Sequence, residues 1–517
     1  MTDVAPAAAD DQRMTGDILK VAGVVVLGAI MSILDITVVN VALPTFETTF
    51  GTPGHPLAYS TVAWTVTGYT LALATVIPLS GWAADRFGTK RLYMAAIALF
   101  TIGSTLCAMA SSIDMLIGFR VLQGLGGGML MPLGMTIMTR AAGPKRMGRL
   151  MAILGVPMLL GPIGGPILGG WLIDTASWHW IFLINVPIGV IALVYALVAL
   201  PKDSPHPSES FDFVGMLMMS PGLALFLYGV SSIPAEGRVG TPKVLLPALI
   251  GLALVLGFVL YSFTPKHPLL DLRLFRNRDL AISILTMFLF AVAFFGGLLL
   301  VPTYFQQIRG ESVLRAGLLV APQGIGAMLT MPIAGTLTDR FPVGRIVPFG
   351  LVLIGAGMAG LTQITSTTSY PTMIALLFVM GLGMGGTMMP IMTSALRTLR
   401  ATEVARGSTL LNITQQIASS VGVAVMSVIL TNGLKDAPLA GPAIAARRDP
   451  QIAAQIGGEA GVKAGLAQAA NAFAHTYWVA FALVVVTIVA ALFLPRRRAE
   501  SPLADDDHGG VVPVIVH

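Results

Sequence analysis

Gly81-Trp82-Ala83-Ala84-Asp85-Arg86-Phe87-Gly88-Thr89-Lys90-Arg91 is the stretch on which the fold is decided. It separates two apolar runs, 60–81 and 91–110, each long enough to cross a hydrocarbon layer of about 30 Å as a helix. Gly81 and Gly88 permit a tight turn between helices, Asp85 can cap a helix end or meet a neighbouring segment, and Arg86, Lys90 and Arg91 suit a cytoplasmic surface facing anionic lipid. The rest of the chain agrees. Of 517 residues, 55% are hydrophobic and 11% charged, and the mean hydropathy is +0.81. A soluble domain is about 25% charged, so the bilayer is the expected solvent. The polar, acidic residues 1–17 lack a basic leader pattern, so no cleavable signal peptide is expected.

Working outward, apolar runs fall near 18–43, 60–81, 91–110, 113–138, 150–172, 179–200, 213–232, 244–264, 281–302, 316–337, 346–366, 372–396, 407–431 and 474–495, which predicts fourteen spans. Most of the 31 Lys and Arg residues then lie on one side, the cytoplasmic one. An odd count would put Arg496, Arg497 and Arg498 outside and spoil that asymmetry. The stretch recurs as Gly335-Thr336-Leu337-Thr338-Asp339-Arg340-Phe341, and Gly127-Gly128-Met129-Leu130-Met131-Pro132 recurs as Gly385-Gly386-Thr387-Met388-Met389-Pro390 at nearly the same offset. Two parallel six-helix repeats follow. The expected organisation is a cytoplasmic tail (1–17), a first bundle (18–200), a linker with two extra spans (201–280), a second bundle (281–495) with an extracytoplasmic loop at 432–473, and a cytoplasmic tail (496–517).

The Gly81–Arg91 stretch and its copy resemble the signature loop of the major facilitator superfamily. That resemblance implies an all-α fold of 6 + 2 + 6 helices with both termini cytoplasmic. It also implies a conformational latch between the halves at Gly81, Asp85, Arg86, Gly88, Lys90, Arg91, Asp339 and Arg340. The second copy lacks the basic cluster and carries Pro342, so the latch is expected to be asymmetric.

Asp35, in Leu34-Asp35-Ile36-Thr37-Val38-Val39-Asn40, is the only carboxylate deep in an expected span, and Arg120 the only deep base. Ionisable groups in hydrocarbon are costly and mark function. Burial favours the neutral acid while a nearby cation favours the carboxylate, so such a pair can handle a proton. The alternatives are a structural Asp35 bonded to Thr37, Asn40 or backbone, and an Arg120 satisfied by carbonyls. Asp35 lies roughly 12 Å and Arg120 roughly 10 Å from the outer ends of their helices, which makes contact feasible. Arg120-Val121-Leu122-Gln123-Gly124 resembles the superfamily's fourth-helix arginine motif, associated with proton transfer.

Gly161, Gly165 and Gly169 recur every four residues, a stripe that lets another helix approach closely, and Pro162 and Pro166 invite a kink. The segment with Gly161, Pro162 and Gly164, which contains the Gly-Pro-x-x-Gly-Gly arrangement Gly165-Pro166-Ile167-Leu168-Gly169-Gly170, resembles the motif of drug antiporters. Trp178-His179-Trp180 reads as an interfacial anchor, as does His475 at its own interface. The segment through Gly189, with the Asp35 motif, resembles the EmrB/QacA-type fourteen-helix branch. Met380, Met384, Met388 and Met392 fall on one helical face, where thioethers suit either plain packing or a promiscuous site. Other candidates for a substrate cavity are Asn40, Gln123, Phe294, Phe295, Tyr304, Asn412, Gln415 and Gln416, lipid-facing aromatics being the alternative.

No phosphate-binding Gly-x-x-x-x-Gly-Lys-Ser/Thr loop, metal-ligand spacing or nucleophile elbow occurs, and Cys107 is the single cysteine. The expectation is a multi-pass transporter of the inner or plasma membrane, not an enzyme. It is expected to have no cofactor and no metal, to be driven by the proton gradient, and to expel hydrophobic, often cationic, compounds. Its partners would be a lipophilic small molecule, protons and membrane lipids, with no nucleic acid. A monomer and a periplasmic adaptor partner both stay open, as do export of an endogenous lipid or metabolite and a non-transporting sensor role.

Overall fold

The computed structural model describes residues 16–51, 57, 59–202, 210–233, 240–400, 403–447 and 450–496. The expected tails lie almost wholly outside them. The described chain is helical, and its long elements are α1 (Gly16–Thr49), α2 (Trp64–Phe87), α3 (Thr89–Ala108), α4 (Ile113–Thr175), α5 (Asn185–Ala199), α6 (Phe213–Ser231) and α7 (Pro242–Tyr261). Then come α8 (Arg278–Gln307), α9 (Val313–Arg340), α10 (Val343–Leu361), α11 (Tyr370–Gly385), α12 (Met388–Arg397), α13 (Val404–Lys435) and α14 (Gly458–Ala491). Side chains set the starts: Ser112 accepts from the Met115 amide, Asp212 from Gly215 and Asn277 from Asp279 and Leu280, each satisfying an orphan donor of a first helical turn. Gly88, at φ 91°, joins α2 to α3 in a backbone region that only glycine enters cheaply.

Thirteen helices among the described residues are long and apolar enough to cross a membrane. The fifth expected span, 150–172, is not one of the thirteen, because it is the second part of α4 and several of its side chains lie outside the described set. At 63 residues α4 would be about 95 Å long if straight. Its contacts show a reversal instead. In the first part, Gly134 meets Val25 and Arg120 meets Asp35, antiparallel to α1. In the second, Gly161 meets Ile33 and Gly169 meets Val38, parallel to α1. The Gly148 and Arg149 amides donate to a carboxylate, as the first turn of a new helix would.

Helices α1–α5 pack among themselves, as do α8–α14, and the two groups meet where α4 touches α9, α12 and α13 and where α2 touches α13. The extra pair, α6 and α7, packs together at Gly222, Gly229 and Gly251, and α6 packs against α2 and α13. It therefore leans on both groups rather than merely linking them. Its most apolar member, α7, is only 17% buried over its core window, as a helix bathed in lipid should be.

The 432–473 loop is shorter than the hydropathy suggests. The chain stays helical to Lys435, adds short helices at Ala440–Ala445 and Pro450–Gln455, and starts α14 at Gly458. Alanine-rich segments such as 464–474 carry high helix propensity without being strongly apolar, so the helix outruns the hydropathy signal.

Candidate functional site: a buried carboxylate–arginine cluster

Asp35 and Arg120 meet in the interior of the first group. Their side chains are fully buried, with Arg120 Nη1 2.5 Å from Asp35 Oδ2. The other carboxylate oxygen accepts from Gln123 Nε2 at 2.8 Å and Asn185 Nδ2 at 3.2 Å. Gln123 turns its carbonyl to Arg120 Nη1 at 2.8 Å, and the thiol of Cys107 lies 3.6 Å from the same oxygen. Asn185 also donates to Ser104 Oγ at 3.1 Å, and Ser104 donates to the Phe182 carbonyl at 2.9 Å. Arg120 Nε donates to the Thr65 carbonyl at 2.9 Å, its guanidinium lies 4.1 Å from the centre of the Tyr69 ring, and Nη2 has no protein partner.

This network follows from satisfying buried polar groups. A carboxylate and a guanidinium in a low-dielectric interior need both each other and neutral hydrogen-bonding groups around them. Five elements converge: α1 supplies Asp35, α2 Thr65 and Tyr69, α3 Ser104 and Cys107, α4 Arg120 and Gln123, and α5 Asn185. Thr37 bonds to the Ile33 and Leu34 carbonyls of its own helix and Asn40 is exposed, so neither holds Asp35. Asn185, Ser104, Tyr69 and Thr65 were not singled out from sequence. Asn185 alone gave a signal, as an amide inside an apolar run.

The glycine stripe packs on the turn of α1 that carries Asp35. Gly161 lies against Ile33, Gly164 near Leu34, Gly165 against Thr37 and Gly169 against Val38. The Pro162 side chain is outside the described set.

A second cluster lies at the positively charged end. Asp339 is buried; Oδ1 accepts from the Gly148 amide at 2.9 Å and from Arg397 at 2.5 Å, and Oδ2 from Arg149 Nε at 3.3 Å. Asp85 is 3.4 Å from Arg140 and 4.0 Å from Arg406, while Gly81 approaches the α13 backbone at Ala405 and Arg406, and Ser80 reaches Thr409 at 3.0 Å. Both copies of the signature aspartate thus touch the opposite group. Lys90 turns the other way, donating to the Leu197 and Leu200 carbonyls at the end of α5. Arg86, Arg91 and Arg340 are exposed.

The proposed cavity residues do not converge. Phe294 is buried against Phe290 and Phe295, Tyr304 donates to the Thr365 carbonyl near the outer end of α8, and Asn412 donates to the Ser408 carbonyl of its own helix and lies 3.2 Å from Met135 Sδ of α4. Gln415 and Gln416 are half-buried. The methionine face is not continuous: the helix breaks at Gly386 and Thr387, so Met380 and Met384 belong to α11 and Met388 and Met392 to α12, all four buried. A four-residue spacing describes one face only while the helix stays unbroken. Trp178 is likewise no free anchor, being buried against Phe46, Phe50 and Phe182, whereas Trp180 is exposed.

The comparisons agree with this architecture. The sequence model of the Major Facilitator Superfamily matches residues 25–423. The chain is 47% identical over 500 residues, 94% of its length and 92% of the other's, to a multidrug resistance protein B homolog of Mycobacterium tuberculosis. It is 30% identical over 420 residues, 78% of its length and 79% of the other's, to the multidrug export protein EmrB of Escherichia coli K12. Among solved structures, the proton:xylose symporter XylE superposes with a TM-score of 0.60 at 14% identity, covering 94% of this chain and 97% of that one. By sequence and by fold, the chain belongs to the major facilitator superfamily, as a multi-pass membrane transporter of the EmrB type.

Proposed function

We propose that the chain exports hydrophobic small molecules in exchange for protons, with Asp35 as the proton carrier and Arg120 as its counter-charge. The observation that carries this reading is the wholly buried Asp35–Arg120 pair, held by Gln123 and Asn185. A buried ion pair is weak evidence of stability, since its desolvation cost rivals its attraction, and its retention inside a membrane bundle argues for use. The multidrug names of relatives at 47% and 30% identity support the substrate class, and the Gly161–Gly169 stripe supports the direction.

In this reading the clusters at Asp85 and Asp339 form the cytoplasmic latch, so the described state is closed toward the cytoplasm. A proton arriving from outside neutralises Asp35, loosens its bond to Arg120 and frees α1 to shift against α4. The latch then opens, substrate enters from inside, and the proton leaves to the cytoplasm. No cofactor is needed, because the proton gradient supplies the work.

The test is Asp35→Asn in proteoliposomes, with efflux of an ethidium-like cation driven by an imposed pH gradient. The variant leaves the Arg120 guanidinium with only the neutral Gln123 and Thr65 acceptors, at a cost of about 3–5 kcal/mol, so its fold is checked by melting temperature and substrate binding before efflux is read. It should bind substrate yet lose gradient-driven efflux. Full gradient-driven efflux in Asp35→Asn would overturn the proposal.

A further inference from the structure

A groove of about 700 Å³ runs along the outside of the first group, between α3 and α5. Its cytoplasmic end is lined by Lys90, Arg91 and Lys202, and its wall includes Ala95, Ala98 and Leu197. No carboxylate lines it among the described residues. Ala98 lies eight residues beyond Lys90 on α3, about 12 Å deeper into the hydrocarbon. The small alanine side chains hollow the helix surface beside Leu197, which is 56% exposed. Basic pockets between membrane helices on the cytoplasmic side suit acidic lipid head groups.

We propose that this groove binds one acidic phospholipid of the cytoplasmic leaflet. Its phosphate lies against Lys90, Arg91 and Lys202, and an acyl chain runs along Ala95, Ala98 and Leu197. A soluble anion would use the basic end and leave the apolar wall bare, whereas a zwitterionic lipid would bring its own cationic group towards the three basic side chains. The lipid is therefore chosen by both ends together. Lys90 already tethers the start of α3 to the end of α5 through the Leu197 and Leu200 carbonyls, so the groove is built before its ligand arrives. The proposal is independent of which compound the protein transports and in which direction.

Native mass spectrometry of the full chain, released from detergent with phosphatidylglycerol or phosphatidylcholine, tests it. The wild type should retain phosphatidylglycerol in preference. Lys202→Gln should lower phosphatidylglycerol retention about five-fold, the effect of one cation at a membrane surface, and leave phosphatidylcholine unchanged. Ala95→Leu, which fills the wall, should lower retention of both lipids. Lys202 and Ala95 are exposed, so both variants should fold. Equal retention by the wild type and both variants would overturn the proposal. So would displacement of phosphatidylglycerol by an equal concentration of inorganic phosphate, which would mark a bare anion site.

Discussion

Asp339→Ala should unlock the cytoplasmic face. Its carboxylate's bonds to Gly148 and Arg149 cross between the helix groups, while that to Arg397 stays within one. Only the crossing bonds differ between closed and open states. Arg397 keeps the Thr338 carbonyl at 2.7 Å, so its loss weighs on both states alike. A hydrogen bond to a charged group contributes about 1.5–3 kcal/mol. Arg149, 25% exposed, exchanges much of its share with water, so the buried Gly148 amide dominates. We take about 2 kcal/mol, which raises the open-to-closed ratio roughly 30-fold.

The single native cysteine, Cys107, is buried, so an introduced thiol can report opening. Ser80→Cys places it at a position 1% exposed, opposite Thr409. In inside-out vesicles, maleimide labelling should rise roughly 30-fold on adding Asp339→Ala. Arg149→Ala keeps both backbone amides and should raise labelling by less. Unchanged labelling in both variants, with thermal stability intact, would refute the latch.

Two further substitutions probe the cluster and its support. Gly165→Ala puts a Cβ into the Thr37 side chain, with the Thr37 carbonyl carbon at 3.1 Å. It should cost about 1–3 kcal/mol by overpacking, seen as a lower melting temperature of the purified protein, while Gly170→Ala, with nothing within 4 Å, should be neutral. Asn185→Ala strips a donor from both Asp35 and Ser104. The expected loss is about 1–3 kcal/mol of stability together with slower gradient-driven efflux, and a variant unchanged in both would argue against Asn185 as a support for Asp35.

How far the sequence spoke depended on the kind of signal. Spans such as 213–232 and 244–264 match α6 and α7 within a few residues, because hydropathy reports the solvent around a helix directly. The same signal failed at 458–473, where alanine carries the helix beyond the apolar run. The Asp35–Arg120 contact was readable because lone opposite charges in hydrocarbon have few alternatives. Asn185, Ser104 and Tyr69 were not, since neutral polar groups are common in membrane helices and only their convergence marks them. The Met380–Met392 face failed for a conformational reason: the break at Gly386–Thr387 is set by packing against α10, where Gly383 approaches Gly350, and no local periodicity reports it.

Among the described residues, none of Asp35's hydrogen-bond partners crosses to the other group: Arg120, Gln123 and Asn185 all belong to the first five helices. If Asp35 carries the proton, as proposed, its protonation cannot itself break a contact between the groups, and an element must carry the change. The second part of α4 touches both places. It begins at Gly148 and Arg149 on Asp339 and continues through Gly161, Gly165 and Gly169 on the Asp35 turn of α1. From Gly148 to Gly169 is about 32 Å along a helix, and close packing transmits displacement rather than absorbing it. In the proposed cycle, a shift of α1 released at Asp35 would tilt this segment and move its Gly148 end away from Asp339. The glycine stripe accordingly matters as a bearing surface: it lets α1 and α4 touch closely enough that neither can move alone.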